Sequence, residues 1–144
     1  MAKELAIFGG SFNPVHLGHL IIAECCLEQA HLDRVLFMPA ATPPHKQNSP
    51  LACPEDRIEM LRLALASHDK LDFSLNECDR GGISYTVDTV SNLVARHPND
   101  RFSLILGPDA LRDLPSWRKP QEILGIVRIL AIERHGIDDI EKTL

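Results

Sequence analysis

The chain has 144 residues, of which 44% are apolar and 24% charged, a balance typical of one globular domain rather than of a collagen-like or disordered chain. Its 15 basic and 20 acidic residues leave a formal charge of −5, opposite in sign to the basic footprint of a nucleic-acid binder. No run approaches the ~18 apolar residues that span a bilayer, and the N-terminus lacks the apolar core of a signal peptide. We therefore expect a single cytoplasmic domain over residues 1–144 that binds neither nucleic acid nor membrane.

Short apolar runs alternate with longer amphipathic patterns along the whole chain. The runs predict strands over residues 5–8, 35–38, 71–75, 102–106 and 126–132, and the longer patterns predict helices over residues 17–30, 55–66 and 86–95. Two stretches, 39–54 and 107–120, are expected to be irregular because prolines interrupt them. The order of strand, helix and strand predicts an α/β fold: a Rossmann-like, doubly wound, mostly parallel sheet with helices on both faces. Ligands of such sheets bind at the carboxyl ends of the strands.

The four cysteines do not form a recognisable framework. An adjacent pair, Cys25 and Cys26, stands apart from Cys53 and Cys78, and no C-x-x-C spacing occurs. This pattern fits neither a disulfide scaffold nor a zinc knuckle, so we predict free thiols.

The segment after the first predicted strand carries the strongest functional signal. It reads Gly9-Gly10-Ser11-Phe12-Asn13-Pro14-Val15-His16-Leu17-Gly18-His19, and a predicted helix follows at once. Two glycines let backbone N–H groups approach an anion, and a helix start adds its positive end, so the segment predicts a phosphate site. It is neither the dinucleotide fingerprint, which needs a third glycine, nor a Walker loop, which needs Gly-Lys-Ser/Thr.

Two histidines in this segment are candidates for phosphate contacts. His16 and His19 lie three residues apart on one side of the first helical turn, where both imidazoles can donate N–H to phosphate oxygens. Because a helix N-terminus disfavours the imidazolium, both are predicted to be neutral donors before a polyphosphate binds and to gain charge when it arrives. The alternatives that the sequence leaves open are two surface histidines near a helix cap and a metal-binding pair.

The same segment resembles the nucleotide-binding signature of the HxGH nucleotidyltransferases. Further segments resemble, in the same order, one family of this superfamily, the bacterial nicotinate mononucleotide adenylyltransferases. These segments are Met38-Pro39-Ala40-Ala41-Thr42-Pro43-Pro44-His45-Lys46, Ile83-Ser84-Tyr85-Thr86-Val87-Asp88-Thr89, Gly107-Pro108-Asp109-Ala110-Leu111, and Trp117 with Ile123-Leu124. The phosphopantetheine adenylyltransferases share the first motif, whereas the other segments look like the nicotinate family. The likeness runs from Ile7 to about Gly136.

The resemblance implies a Rossmann-like fold and a reaction in which a mononucleotide phosphate attacks the α-phosphorus of ATP, with Mg²⁺ bridging phosphates and pyrophosphate released. It implies that His16 and His19 stabilise the transferring group and act as the catalytic residues. The residues that it implies for ATP binding are Gly9, Gly10, His16, His19, Gly107, Asp109 and Arg134. The residues that it implies for mononucleotide binding are Ser11, Phe12, Lys46, Tyr85, Thr86 and Trp117.

Four of these residues have plainer alternatives. Lys46 is otherwise a solvated lysine, and Thr86 and Asp109 are otherwise helix caps. Trp117 lies among Pro115, Ser116 and Arg118, a setting that favours stacking on a pyridine ring over packing in the core.

The pattern departs from the family near the end of the chain. The family continues to an I-S-x-T-x-[IV]-R segment that opens a helix against the ATP phosphates, and nothing after Arg134 matches it. His135 also stands where the family has a proline. We therefore expect a C-terminally shortened sheet. The alternative functions are a non-catalytic nucleotide-binding module of the same fold and a phosphopantetheine adenylyltransferase-like enzyme. A bare sheet edge would favour a homo-oligomer.

Overall fold

The computed structural model describes residues 2–10, 12, 15–39, 54–74 and 85–132. Its strands are β1 (Glu4–Gly10), β2 (Arg34–Pro39), β3 (Leu71–Phe73), β4 (Arg101–Leu106) and β5 (Arg128–Ala131). Its helices are α1 (Leu17–Gln29), α2 (Pro54–Leu65), α3 (Thr86–Arg96), α4 (Pro108–Asp113) and α5 (Pro120–Ile126), with a 3-10 turn (Leu114–Ser116) between α4 and α5. None of these helices combines the length and the apolar character needed to cross a membrane.

All five strands are parallel and lie in the order β3-β2-β1-β4-β5. The central strand is therefore β1, which pairs Gly10 with Pro39 of β2 and Ile7 with Leu104 of β4. The chain moves away from β1 in one direction through β2 and in the other through β4, so the strand order reverses at the end of β1. Ligand sites in such sheets lie at this reversal point. The predicted doubly wound parallel sheet is confirmed.

The side chains of β1 alternate between two apolar cores, one on each face of the sheet. Ala6 and Phe8 lie in the first core with buried residues of α1 and α2. Leu5 and Ile7 lie in the second core with buried residues of α3 and α5. Because helices cover both faces, the strands are apolar on both sides, which explains their continuous hydrophobic runs.

The stretch 107–120 is not irregular as predicted, because α4 and the 3-10 turn occupy most of it. The prediction was wrong because it took three prolines, Pro108, Pro115 and Pro120, as a sign of irregular structure. Each of them lies in the first turn of a helical element, where a missing backbone N–H breaks no hydrogen bond. The predicted last strand also began too early, since Ile126 ends α5. The other predicted irregular stretch lies mostly outside the described residues, with Pro39 in β2 and Pro54 in α2.

The adjacent cysteines Cys25 and Cys26 form no disulfide, as predicted. Cys26 is fully buried, and this burial, followed by the neighbouring Cys25, raises the pKa of its thiol to about 12. Cys53 and Cys78 lie outside the described residues.

Candidate active site

Several predicted site residues meet at one edge of the sheet, where the parallel strands end. The glycine pair closes β1, and Gly107 follows β4 as the N-cap of α4. Helix α3 ends at Arg96 and β4 begins at Arg101, so α3 runs antiparallel to the strands. Its start, at Tyr85 and Thr86, therefore lies at the same edge. We call this edge the carboxyl edge.

The glycine pair leaves open space at the end of β1. A Cβ atom on Gly9 would meet only the Met38 carbonyl oxygen, at 4.0 Å, and one on Gly10 would touch the Phe12 ring at 3.5 Å. Neither glycine has a left-handed backbone. What they supply is therefore the lack of a side chain, which lets an anion approach the backbone. Ser11 lies outside the described residues.

Phe12 is held in a left-handed backbone conformation, with φ of 46°. This conformation costs a non-glycine residue about 1–3 kcal/mol, so it persists only where surrounding contacts hold it. The Phe12 ring is only 3% exposed and makes edge contacts with Phe8, at 5.7 Å between ring centroids, and with His19, at 5.1 Å. The ring thus anchors the loop and supports one face of the His19 imidazole. Its predicted part in shaping the mononucleotide pocket stays a prediction.

The two histidines are stacked on each other, with ring centroids 3.8 Å apart and ring planes 26° apart. The backbone N–H of His16 donates a hydrogen bond of 3.0 Å to Nδ1 of His19. His16 is the N-cap of α1 and is exposed, whereas His19 is partly buried. The predicted placement of both imidazoles on one side of the first turn is confirmed.

This hydrogen bond fixes the tautomer of His19. Because Nδ1 accepts a hydrogen bond from the backbone N–H of His16, a neutral imidazole must carry its own proton on Nε2. Burial first, and the neighbouring His16 second, lower the pKa of His19 to about 4. The neutral state predicted for His19 therefore has a different cause from the one expected, since burial and not the helix N-terminus dominates. At neutral pH His19 is an uncharged donor through Nε2.

Gly18 makes the stacked arrangement sterically possible. A Cβ atom at this position would lie 2.9 Å from Cε1 and 3.0 Å from Nδ1 of His16. Such distances are well inside van der Waals contact. The glycine of the H-x-G-H tetrad thus leaves room for the first imidazole to fold back over the helix.

A second group of residues lies at the start of α3 and after the 3-10 turn. Tyr85 is the N-cap of α3, and no side chain caps this helix, so the alternative of Thr86 as a helix cap is wrong. Tyr85 and Trp117 are partly buried and pack against the second core. Trp117 therefore combines core packing with an accessible portion, and its predicted stacking on a pyridine ring stays a prediction.

Arg118 belongs to this group and was missed by sequence reasoning. Its guanidinium carbon lies 4.1 Å from the centroid of the Tyr85 ring, in cation–π geometry. The signal that could have identified Arg118 is its position next to the only tryptophan of the chain.

The residues after β4 form the third part of the carboxyl edge. A Cβ atom on Gly107 would have nothing within 4 Å, so this turn is open. Asp109 is the second residue of α4 and pairs with Arg112, whose Nη2 lies 3.4 Å from its Oδ1. The N-cap of α4 is Gly107, so the alternative of Asp109 as the N-cap is wrong. Its predicted hydrogen bonds to ribose hydroxyls stay a prediction. Lys46 and Arg134 lie outside the described residues.

Comparison with known proteins agrees with this arrangement. Residues 7–143 match the model of a family described as cytidylyltransferase-like. The nicotinate-nucleotide adenylyltransferase of Bacillus subtilis is 45% identical over 134 residues, which cover 93% of this chain and 71% of that protein. A protein of Synechococcus sp. named "Probable nicotinate-nucleotide adenylyltransferase" is 44% identical over 142 residues, which cover 99% of this chain and 70% of that protein. The chain thus spans about seven tenths of the length of these two relatives.

A solved structure shares the fold at lower sequence identity. The nicotinic acid mononucleotide adenylyltransferase of Plasmodium falciparum, complexed with NaAD, superimposes with a TM-score of 0.78 at 20% identity. The match covers 99% of this chain and 71% of that one. The H-x-G-H helix start and the parallel sheet agree with the family match and with the two sequence relatives. The chain therefore belongs to the cytidylyltransferase-like family and, within it, to the nicotinate-nucleotide adenylyltransferases.

Proposed function

We propose that this chain transfers the adenylyl group of ATP to nicotinate mononucleotide. A phosphate oxygen of the mononucleotide attacks the α-phosphorus of ATP, and the bond from that phosphorus to the oxygen of the β-phosphate breaks. The products are deamido-NAD and pyrophosphate, which makes the reaction a step of NAD biosynthesis. The names of the sequence relatives favour nicotinate mononucleotide over phosphopantetheine as the acceptor.

The observation that carries the mechanism is the fixed tautomer of His19. Its Nδ1 is held by the His16 N–H, and its ring is held by the stacked His16 imidazole and the edge of Phe12. The Nε2–H donor is therefore oriented before ATP arrives. A donor that needs no reorganisation stabilises negative charge as it develops on the transferring phosphoryl group. His16, which is exposed on the other side of the stack, supplies a second donor for the phosphates.

The remaining predicted residues divide between the two substrates. Gly9, Gly10, Gly107 and Asp109 are proposed to bind ATP, together with Arg134. Phe12, Tyr85, Thr86 and Trp117 are proposed to bind the mononucleotide, together with Ser11 and Lys46. The position of the described members of both sets at the carboxyl edge supports a common site for the two substrates, and the division between them follows the family resemblance. Their separate roles are proposals that substitution can test.

Mg²⁺ is proposed to arrive with ATP, where it would neutralise charge on the phosphates. Over residues 2–10, 12, 15–39, 54–74 and 85–132, no group of three or more His, Cys, Asp or Glu side chains could hold a metal ion. The described residues thus do not form a metal cage of their own, and none of the roles given to them depends on the metal. A cytoplasmic location, a single domain over residues 1–144 and a homo-oligomeric state stay predictions.

The proposal is tested by incubating the intact chain with ATP, Mg²⁺ and nicotinate mononucleotide and measuring pyrophosphate release. Binding of each nucleotide is measured in parallel by calorimetric titration. Two substitutions test the separate roles of the two ring nitrogens of His19. His19→Asn keeps an acceptor near Nδ1 and has no donor near Nε2, so kcat/KM should fall about 100-fold or more. His19→Gln places an amide donor near Nε2 and should retain more activity than the Asn variant.

A matched control is His97→Gln, an exposed histidine that follows α3 at the opposite edge of the sheet, which should leave kcat/KM unchanged. Wild-type kcat/KM in His19→Asn would contradict the mechanism. Nucleotide binding by the wild-type chain without pyrophosphate release would favour the non-catalytic module instead.

A further inference from the structure

Arg118 is exposed, and its backbone is constrained by the chain on both sides of it. On one side, the backbone N–H of Trp117 donates to the Leu114 carbonyl, at 3.0 Å, and closes the 3-10 turn. On the other side, Lys119 has a left-handed backbone with φ of 50° and is the N-cap of α5. Two consecutive structural constraints therefore set the direction in which Arg118 leaves the backbone.

Tyr85 contacts the other end of the Arg118 side chain. The Tyr85 ring lies 4.1 Å from the guanidinium carbon, and the Tyr85 backbone is anchored by its carbonyl, which accepts N–H hydrogen bonds from Asp88 and Thr89 at 3.1 and 3.2 Å. A guanidinium whose carbon lies over an aromatic ring keeps N–H donors that the ring does not occupy. The contact thus leaves donors of Arg118 available at the carboxyl edge.

The positive charge of Arg118 has no partner within the described parts of the chain. Four other described arginines, Arg34, Arg62, Arg101 and Arg112, each pair with a carboxylate. Arg118 forms no ion pair with a described residue, although it lies beside a tryptophan and the start of a helix that the proposed function assigns to the mononucleotide. A planar cation without an anion, in that position, is suited to a planar carboxylate.

We propose that Arg118 is a specificity-determining residue that recognises the carboxylate of nicotinate mononucleotide and so selects the acid over the amide form. This inference rests on the proposed function. With the pyridine ring against Trp117, a carboxylate substituent presents two acceptor oxygens to the guanidinium. The amide form presents one acceptor and one N–H₂ donor, and the donor faces a cation that can only donate. The same residue therefore binds the acid form more strongly than the amide form.

The test compares kcat/KM for the acid and amide mononucleotides, with ATP and Mg²⁺, in the intact chain. The wild-type chain should prefer the acid. Arg118→Gln should lower kcat/KM for the acid about 10-fold and change that for the amide less than about 2-fold, because only the charged hydrogen bond is lost. Arg118→Glu should lower the acid-to-amide ratio further, since it repels the carboxylate.

Arg96→Gln is the matched control, because it removes an exposed arginine from the far end of α3, at the opposite edge of the sheet. It should leave the acid-to-amide ratio unchanged. The inference is overturned if the wild-type chain shows no preference, if Arg118→Gln leaves the ratio unchanged, or if it lowers both values equally, which would indicate a purely structural role.

Direct calorimetric binding of the two mononucleotides separates this inference from the proposed function. A preference for the acid in binding that Arg118→Gln abolishes, without pyrophosphate release, would refute the proposed function and support the inference. Pyrophosphate release with a ratio insensitive to Arg118 would do the reverse. Absence of both binding and release would refute both.

Discussion

Replacing Gly18 by alanine separates the catalytic geometry from the stability of the fold. The added Cβ atom would lie 2.9 Å from Cε1 of His16. Carbon atoms in contact are about 3.5–4.0 Å apart, so the imidazole must move away by about 0.5–1 Å. The obstructing atoms belong to a side chain that can rotate, and therefore the ring moves while the backbone of α1 stays.

Gly18→Ala has two opposite effects on the free energy of unfolding, which nearly cancel. Alanine in a helix gains about 0.5–1 kcal/mol over glycine, and a strained rotamer of His16 costs about 0.5–1.5 kcal/mol. The free energy of unfolding should thus change by less than about 1 kcal/mol. The stack on His19 is lost, however, and if His16 acts in catalysis as proposed, its displacement by about 1 Å should lower kcat/KM about 10- to 100-fold.

The assay pairs pyrophosphate release with urea unfolding monitored by circular dichroism. Gly125→Ala is the matched control, because Gly125 also lies in a helix but a Cβ atom there would meet nothing within 4 Å. Gly125→Ala should gain the stability that alanine gives a helix over glycine and should keep full activity. Wild-type kcat/KM in Gly18→Ala would refute the reasoning, and so would an equal loss of activity in the control.

Two further predictions concern stability. Leu61 is fully buried, whereas Leu63 on the same helix is 62% exposed. Leu61→Ala should therefore lower the free energy of unfolding by about 2–5 kcal/mol, and Leu63→Ala by less than about 1 kcal/mol. Similar values for the two variants would contradict the orientation of α2. The second prediction concerns pH, because folding lowers the pKa of His19 from 6.5 to about 4. Between these values the unfolded chain binds more protons, so the contribution to stability is present above pH 6.5 and is lost as pH falls toward 4. The unfolding free energy of the wild-type chain should therefore fall more between pH 7 and pH 5 than that of His19→Asn, and equal losses would show that His19 titrates normally.

The sheet could be predicted because every strand carries an apolar run and the alternation with helices admits few topologies. The boundaries were less certain where one apolar run crosses two elements. Ile126 and Val127 continue directly into the strand residues, yet Ile126 is helical and Val127 is its C-cap. Periodicity cannot divide such a run, because a buried helix end and a buried strand start have the same composition.

The candidate site could be predicted only where the residues are close in sequence. The H-x-G-H spacing places His16 and His19 on one turn, and the structure confirms it. The contact between Tyr85 and Arg118 joins residues that are far apart in the chain, and it depends on the path of the 3-10 turn. A left-handed Phe12 was equally unpredictable, because only its buried contacts stabilise that conformation.

The candidate site has one part on the central strand β1 and another part around Arg118. We expect local unfolding to occur at different rates in these two parts. Strand β1 is hydrogen-bonded on both sides, to β2 and to β4, whereas Arg118 lies on a short connection outside the sheet. Amide protons of β1 should exchange only in global unfolding, and those around residues 114–119 in smaller local openings. The residues proposed to hold phosphates are thus tied to the most persistent part of the molecule. The residue proposed to distinguish the two pyridine substituents can change in evolution without disturbing the strands on which the proposed chemistry depends.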